Sequence, residues 1–175
     1  MQYPLDPNEM LRLSAIQQLE VAKRIPDAAV DRIAAFAREH FRVPICLVTI
    51  VESERQLFLS RQGLDRTETP RNMSFCTHAI LTSEVMVVQN AKADPRFKDN
   101  ALVTGPPYIR FYAGAPLTYE GDVRLGSLCL IDQKPRSFSK GEQAELMMLA
   151  EHVVSIILAR SMGLSEPDIS AALSL

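Results

Sequence analysis

The residues best suited to chemistry lie in two stretches. One is Cys76-Thr77-His78. The other runs from Asp94 through Arg96, Phe97 and Asn100 into Tyr108-Ile109-Arg110-Phe111-Tyr112-Ala113-Gly114. A thiol close to an imidazole suggests a nucleophile with its base. On a helix, however, residues two apart point about 200° away from each other. Cys76 and His78 are therefore not expected to share a proton or a metal. Cys76 is expected as a core thiol and His78 as a polar group facing a pocket. His40 and His152 fall in other segments, and no HExxH or paired CxxC spacing occurs, so no metal site is expected. Cys46 and Cys129 sit in apolar runs, where cysteine behaves as a small hydrophobe. Nothing basic lies beside either to activate it. No GxSxG elbow or glycine-rich phosphate loop accompanies the many serines, so no catalytic residue is assigned.

The second stretch suits binding better than catalysis. If it is a strand from Arg110, alternation places Arg110, Tyr112 and Gly114 on one face and Phe111, Ala113, Ala115 and Leu117 on the other. A guanidinium, a phenol and a glycine sharing a face suit a half-polar cavity, the glycine leaving room. The alternative is that Arg110 pairs with Asp94, Asp99 or Asp132 and clips a long loop to the sheet. Asp94-Pro95-Arg96-Phe97 and Asp99-Asn100 carry turn chemistry. They either close the loop or turn Phe97 inward as a lid, and both readings stay open.

These residues must be positioned by a succession of short elements. Asp6-Pro7-Asn8-Glu9 reads as a helix cap with proline at the first helical position, starting a helix to about Lys23 with a stripe of Met10, Leu13, Ile16 and Leu19. Asp27 caps a second helix that buries Val30, Ile33, Ala34, Ala37 and Phe41. Residues 43–51, apolar on both faces, predict a central strand, and "RQLFLSRQ" returns as its hairpin partner. "RNMSFCTHAIL" predicts a short helix capped by Asn72 or Ser74, and "VMVVQN" a brief strand. Residues 92–107 form a loop with a turn or two of helix. A second hairpin turns at Glu120-Gly121-Asp122. Ser139-Lys140-Gly141-Glu142 is a capping box opening a helix to about Ser161, ended by Gly163. That helix is too apolar for one dry face, so it needs the sheet and a second partner, either the N-terminal helix or the same helix of another subunit. Without strand-helix-strand alternation, the expected class is an antiparallel α+β sandwich. It forms one domain over residues 1–163 with a loosely ordered tail at 164–175.

Composition narrows the function. The 175 residues suffice for one well-buried domain. A net charge of -2, with both signs scattered, gives no footprint for nucleic acid. No signal peptide or membrane-spanning run is expected. Three separated cysteines fit a reducing, cytoplasmic setting rather than a secreted disulfide framework.

The motifs "VPICLVTIVESERQLFLSRQGLDRTETPRNMSFCTHAI", "ADPRFKDNALVTGPPYIRFYAGAPL" and "LGSLCLID", in that order, resemble the GAF domain, in the bacterial form found ahead of histidine kinase and diguanylate cyclase modules. The resemblance runs from about Pro7 to Arg160. It implies a GAF/PAS-like antiparallel sheet of about six strands, with the terminal helices on one face. The Ser74 helix and the Lys92 loop would enclose a small-molecule pocket on the other. It further implies a homodimer through the N- and C-terminal helices, a signalling output partner, and a pocket lined or gated by Phe75, His78, Phe97, Asn100, Arg110 and Tyr112. Thr77 intervenes where bilin-binding members place a cysteine directly before a histidine, so covalent chromophore attachment is not expected. No NKFDE-type motif of cyclic-nucleotide binders is evident, and no output module is expected within these residues, so the chain is expected to be either a stand-alone sensor acting through a partner or a fragment. The shared fold names neither ligand nor cofactor. The expected role is a non-enzymatic sensor. The alternatives are an enzyme similar to free methionine sulfoxide reductase, with cysteines at the pocket, and a dimerisation scaffold whose pocket is filled by its own side chains.

Overall fold

The β-branched run predicted as a central strand forms β1 (Ile45–Val51), with every residue buried. The computed structural model describes residues 3–173. Around β1 lie β2 (Arg55–Gln62), β3 (Glu68–Pro70), β4 (Met86–Val88), β5 (Phe111–Thr118) and β6 (Arg124–Asp132), in the order β3-β2-β1-β6-β5-β4. All neighbouring strands pair antiparallel. At Gly126 of β6 a side chain would place its Cβ 1.8 Å from the Thr49 carbonyl oxygen, so only glycine lets β6 lie this close to β1.

One face of the sheet carries α1 (Glu9–Leu19), α2 (Ala28–His40) and α5 (Lys140–Ser161). The other carries α3 (Cys76–Ala79), α4 (Ala101–Thr104) and the loops around them. Each face has its own apolar core: Ile33, Val48, Phe111, Leu128 and Val153 on the first, Leu47, Phe75, Phe97, Tyr112 and Ile131 on the second. The alternation expected on β5 holds. Phe111, Ala113, Ala115 and Leu117 enter the helix-side core while Tyr112 enters the other.

The expected helix caps divide. Asp27 Oδ1 accepts from the Ala29 and Val30 amides and starts α2, whose buried face includes the predicted Val30, Ile33, Ala34 and Ala37. Ser139 and Glu142 form the capping box of α5. At α1 the expected box is absent. Asp6 accepts from the Asn8 amide instead, and the Glu9 carboxylate is taken by Arg12 and Arg71. The helix also stops at Leu19, where Glu20 turns left-handed, and Val21–Arg24 follows as a 3-10 turn. The apolar stripe is displaced as well: Arg12, Ala15, Ile16 and Leu19 are buried, while Met10 stays 87% exposed.

Beyond Gly163 the tail expected to be loose forms α6 (Glu166–Leu173). Ser165 donates to Asp168, and Ile169 is buried in the helix-side core. The second partner that α5 required is met within the chain by α1, α2 and α6. No helix among the described residues is long and apolar enough to cross a membrane.

Candidate functional site

The pocket face is built around an aromatic stack. Phe75, at the N-cap of α3, lies parallel to Phe97 from the Asp94 turn, with ring centroids 4.0 Å apart. Tyr112 tilts against Phe75 at 5.2 Å, and His78 meets Phe97 edge-on at 4.9 Å. Turn chemistry does turn Phe97 inward: Asp94 accepts from the Arg96 amide and guanidinium, and Phe97 is left 1% exposed. Asn100 holds the next turn. Its Oδ1 caps α4 at the Leu102 amide, and its Nδ2 donates to the Met73 carbonyl across the site.

The stack separates two spaces. Inside it, a cavity of about 30 Å³ is lined by Phe75, Cys76, Tyr112, Cys129 and apolar neighbours. That is room for one or two waters. Outside it, a cleft of about 500 Å³ runs between Tyr3-Pro4 of the N-terminal segment and His78, Arg96, Phe97 and Asn100. This is the size range of small-molecule sites. Of the six residues expected at a pocket, Phe75 and Tyr112 border the inner cavity, and His78, Phe97 and Asn100 border the outer cleft.

Arg110 borders neither. It lies just before β5, half-buried, and its guanidinium donates to the Val103 and Ile109 carbonyls at 2.9 Å. Two of the three aspartates expected to pair with it are engaged elsewhere, Asp94 by Arg96 and Asp132 by Arg136. Three residues of extended alternation could not show that backbone carbonyls of a helical turn would curl back onto the strand entry. The room expected at Gly114 is also taken: a Cβ there would lie 2.3 Å from the Tyr112 hydroxyl. The glycine accommodates the phenol ring of its own strand.

The sulfur and hydroxyl groups are closer than the sequence suggested. Cys76 Sγ lies 2.9 Å from Ser127 Oγ and 3.1 Å from the Tyr112 hydroxyl. Burial pushes the Cys76 thiol up, but hydrogen bonds from Cys129, Ser127, Thr49 and Tyr112 outweigh it and bring it to about 7. Cys129 is pushed well up by its bond to Cys76 and by burial, and Cys46, on the helix side, is pushed up to about 12 by burial. Burial and the nearby Arg96 lower His78, which favours a neutral imidazole. Sequence reading missed Ser127 and Thr49. The available signal was one hydroxyl amid the apolar middle of each of two central strands, with Ser127 sharing a face with Cys129.

Buried ion pairs at one end of the sheet tie the pocket layer to the helix layer. Asp6 pairs with Arg124 at 3.2 Å, and the Arg124 Nε donates to the Ile80 carbonyl just after α3. Glu9 of α1 bridges Arg12 and Arg71, and Arg71 sits in the turn leading to α3. Burial would raise the Glu9 carboxyl, but Arg71 and Arg12 hold it down to about 2. Arg71 also covers the Tyr3 ring at 4.9 Å.

The comparisons with known proteins agree with this architecture. The sequence profile of the GAF domain family matches residues 26–157. A cyclic di-GMP phosphodiesterase of Pseudomonas aeruginosa is 42% identical over 158 residues, which is 90% of this chain and 26% of the relative's length. The chain therefore spans about a quarter of that protein. Among solved structures, the GAF domain of a phosphoenolpyruvate-protein phosphotransferase from Coxiella burnetii superposes with TM-score 0.65 at 19% identity, covering 89% of this chain and 96% of its own. A free methionine-R-sulfoxide reductase from Neisseria meningitidis does so with TM-score 0.64 at 18% identity, covering 94% and 98%. At these identities the likeness is one of fold.

Proposed function

We propose that this chain, which belongs to the GAF domain family, is a non-enzymatic sensory module that takes a small molecule and passes the event to its terminal helices. The observation that carries the reading is the outer cleft. One wall is Phe97 with His78; the other is Tyr3-Pro4, the segment that leads directly into α1. A ligand between them contacts both layers at once. The Asp6–Arg124 and Glu9–Arg71 pairs then connect any displacement of the α3 region to α1. A ligand shifts a conformational equilibrium only through contacts that differ between its states, and a two-walled cleft supplies such contacts.

The receiving end is a surface on the terminal helices. Met10 and Leu11 of α1 and Met148 of α5 are 87%, 59% and 60% exposed. They suit a homodimer in which helix packing reports the ligand. The relative's name suggests that the output is turnover of a cyclic dinucleotide by a catalytic module that the chain serves.

Thermal shift of the full chain against cyclic mono- and dinucleotides, amino acids and other metabolites tests this. One compound should raise the midpoint, and His78→Ala or Phe97→Ala should remove the rise. The small size of the inner cavity favours a second reading, a dimerisation scaffold whose pocket Phe75, Phe97 and Tyr112 narrow to about 30 Å³. A panel that stabilises nothing, with a dimer persisting in size-exclusion chromatography, would decide for the scaffold.

A further inference from the structure

On the pocket face of the sheet, three heteroatoms close a triangle that ligand sensing leaves unused. Ser127 Oγ and the Tyr112 hydroxyl lie 2.9 Å and 3.1 Å from Cys76 Sγ, and 3.3 Å from each other. Cys129 stands two residues beyond Ser127 on the same face of β6 and lines the same small cavity as Cys76. A neutral thiol accepts hydrogen bonds weakly and a thiolate strongly, so a sulfur ringed by donors is arranged to carry negative charge. The two thiols are unequal in consequence. Cys76 is held at about 7 and Cys129 is pushed well up, which gives one nucleophile and one partner that keeps its proton.

The inner cavity supplies access. Both Cys76 and Cys129 line it, it measures about 30 Å³, and Leu64, Pro107 and the exposed Arg66 also border it. A molecule of two oxygen atoms fits such a space, while a branched or aromatic reagent does not.

We propose that Cys76 and Cys129 are a peroxide-reactive pair, in which hydrogen peroxide entering the cavity oxidises Cys76 and the product condenses with Cys129 to a disulfide. The Cys76 sulfur attacks one peroxide oxygen and the O–O bond breaks. The sulfur becomes a sulfenic acid, and the departing hydroxide leaves as water with the Cys76 proton. The Cys129 sulfur then attacks Cys76 Sγ. The S–O bond breaks, the S–S bond forms, and a second water leaves with the Cys129 proton. Two electrons pass from the sulfurs to the peroxide, and a dithiol reductant reverses the change. The bridge ties α3 to the central sheet beside Phe75, so oxidation locks the aromatic wall between cavity and cleft.

The test is a thiol count on the full chain, exposed to hydrogen peroxide while folded and then unfolded and alkylated. Of the three free cysteines, only Cys46 should remain alkylatable. Peptide mapping should find the Cys76–Cys129 link, the thermal midpoint should rise, and dithiothreitol should restore all three thiols. Tert-butyl hydroperoxide should react at least tenfold more slowly, a ratio of about one decade being what size exclusion at the mouth requires. In Cys129→Ser, a dimedone-type probe added on unfolding, after peroxide exposure of the folded chain, should label Cys76. Retention of all three thiols, loss falling on Cys46, or equal rates with the two peroxides would overturn the proposal. The wild-type mapping decides even if the variant does not fold.

Discussion

At Tyr112 a single phenol occupies three roles that pull on different parts of the molecule. Its ring fills the space over Gly114 and leans on Phe75, and its hydroxyl joins Cys76 and Ser127. Tyr112→Phe keeps the packing and removes only the hydroxyl. Because Ser127 and Cys76 still bond each other, the expected loss is about 1 kcal/mol in urea unfolding. Gly114→Ala drives a methyl into a ring that is 1% exposed and has nowhere to go, and should cost about 2 kcal/mol. Its penalty should shrink when combined with Tyr112→Ala, since the two sites share one space. Pro95 and the aspartates of residues 94–100 were legible as turn formers. That Phe97 would be the residue turned inward rested on its position after the Asp94 turn, which sequence could leave only as one of two readings.

Among the elements, α1 is the least like its sequence. It buries an arginine, Arg12, on the face expected to be apolar, because Glu9 and the carbonyls of Val51 and Leu125 meet every side of the guanidinium. Glu9→Ala would leave Arg12 and Arg71 buried without a carboxylate, and should destabilise by about 3 kcal/mol. The same site sets an acid limit. The Glu9 carboxyl is depressed in the folded chain relative to its ordinary 4.5, so its contribution is complete above that value and is lost as pH falls toward 2. Asp27, lowered by Arg160 despite burial, adds in the same direction. Chemical denaturation followed from about pH 5 down to about pH 2 should show stability falling, and Glu9→Gln should flatten part of that slope. Helix periodicity read α2 and α5 correctly because their buried faces are apolar throughout. It misplaced α1 because a paired arginine is invisible to hydrophobic counting.

For the molecule as a whole, the sheet divides two cores and the charged ties at its end reconnect them. If the terminal helices of two copies meet, Met10→Glu or Met148→Glu should weaken the dimer at least about tenfold, or about 1.4 kcal/mol, with the monomer's thermal midpoint unchanged. Analytical ultracentrifugation over a concentration series checks this. The sequence by itself determined the α+β class, the two hairpins, the caps of α2 and α5 and the face that each β5 residue takes. These depend on local periodicity and on capping or turn chemistry, both readable within a few residues. Only the tertiary structure decided that Arg110 would meet backbone carbonyls, that Tyr112 would fill the gap at Gly114, and that Cys76, Ser127 and Tyr112 would share one hydrogen-bonded cluster. Those outcomes hang on how α3, α4 and the long loop settle on the sheet. Distances between side chains some 50 residues apart, as from Cys76 to Ser127 (|i−j| = 51), are fixed by packing rather than by spacing along the chain.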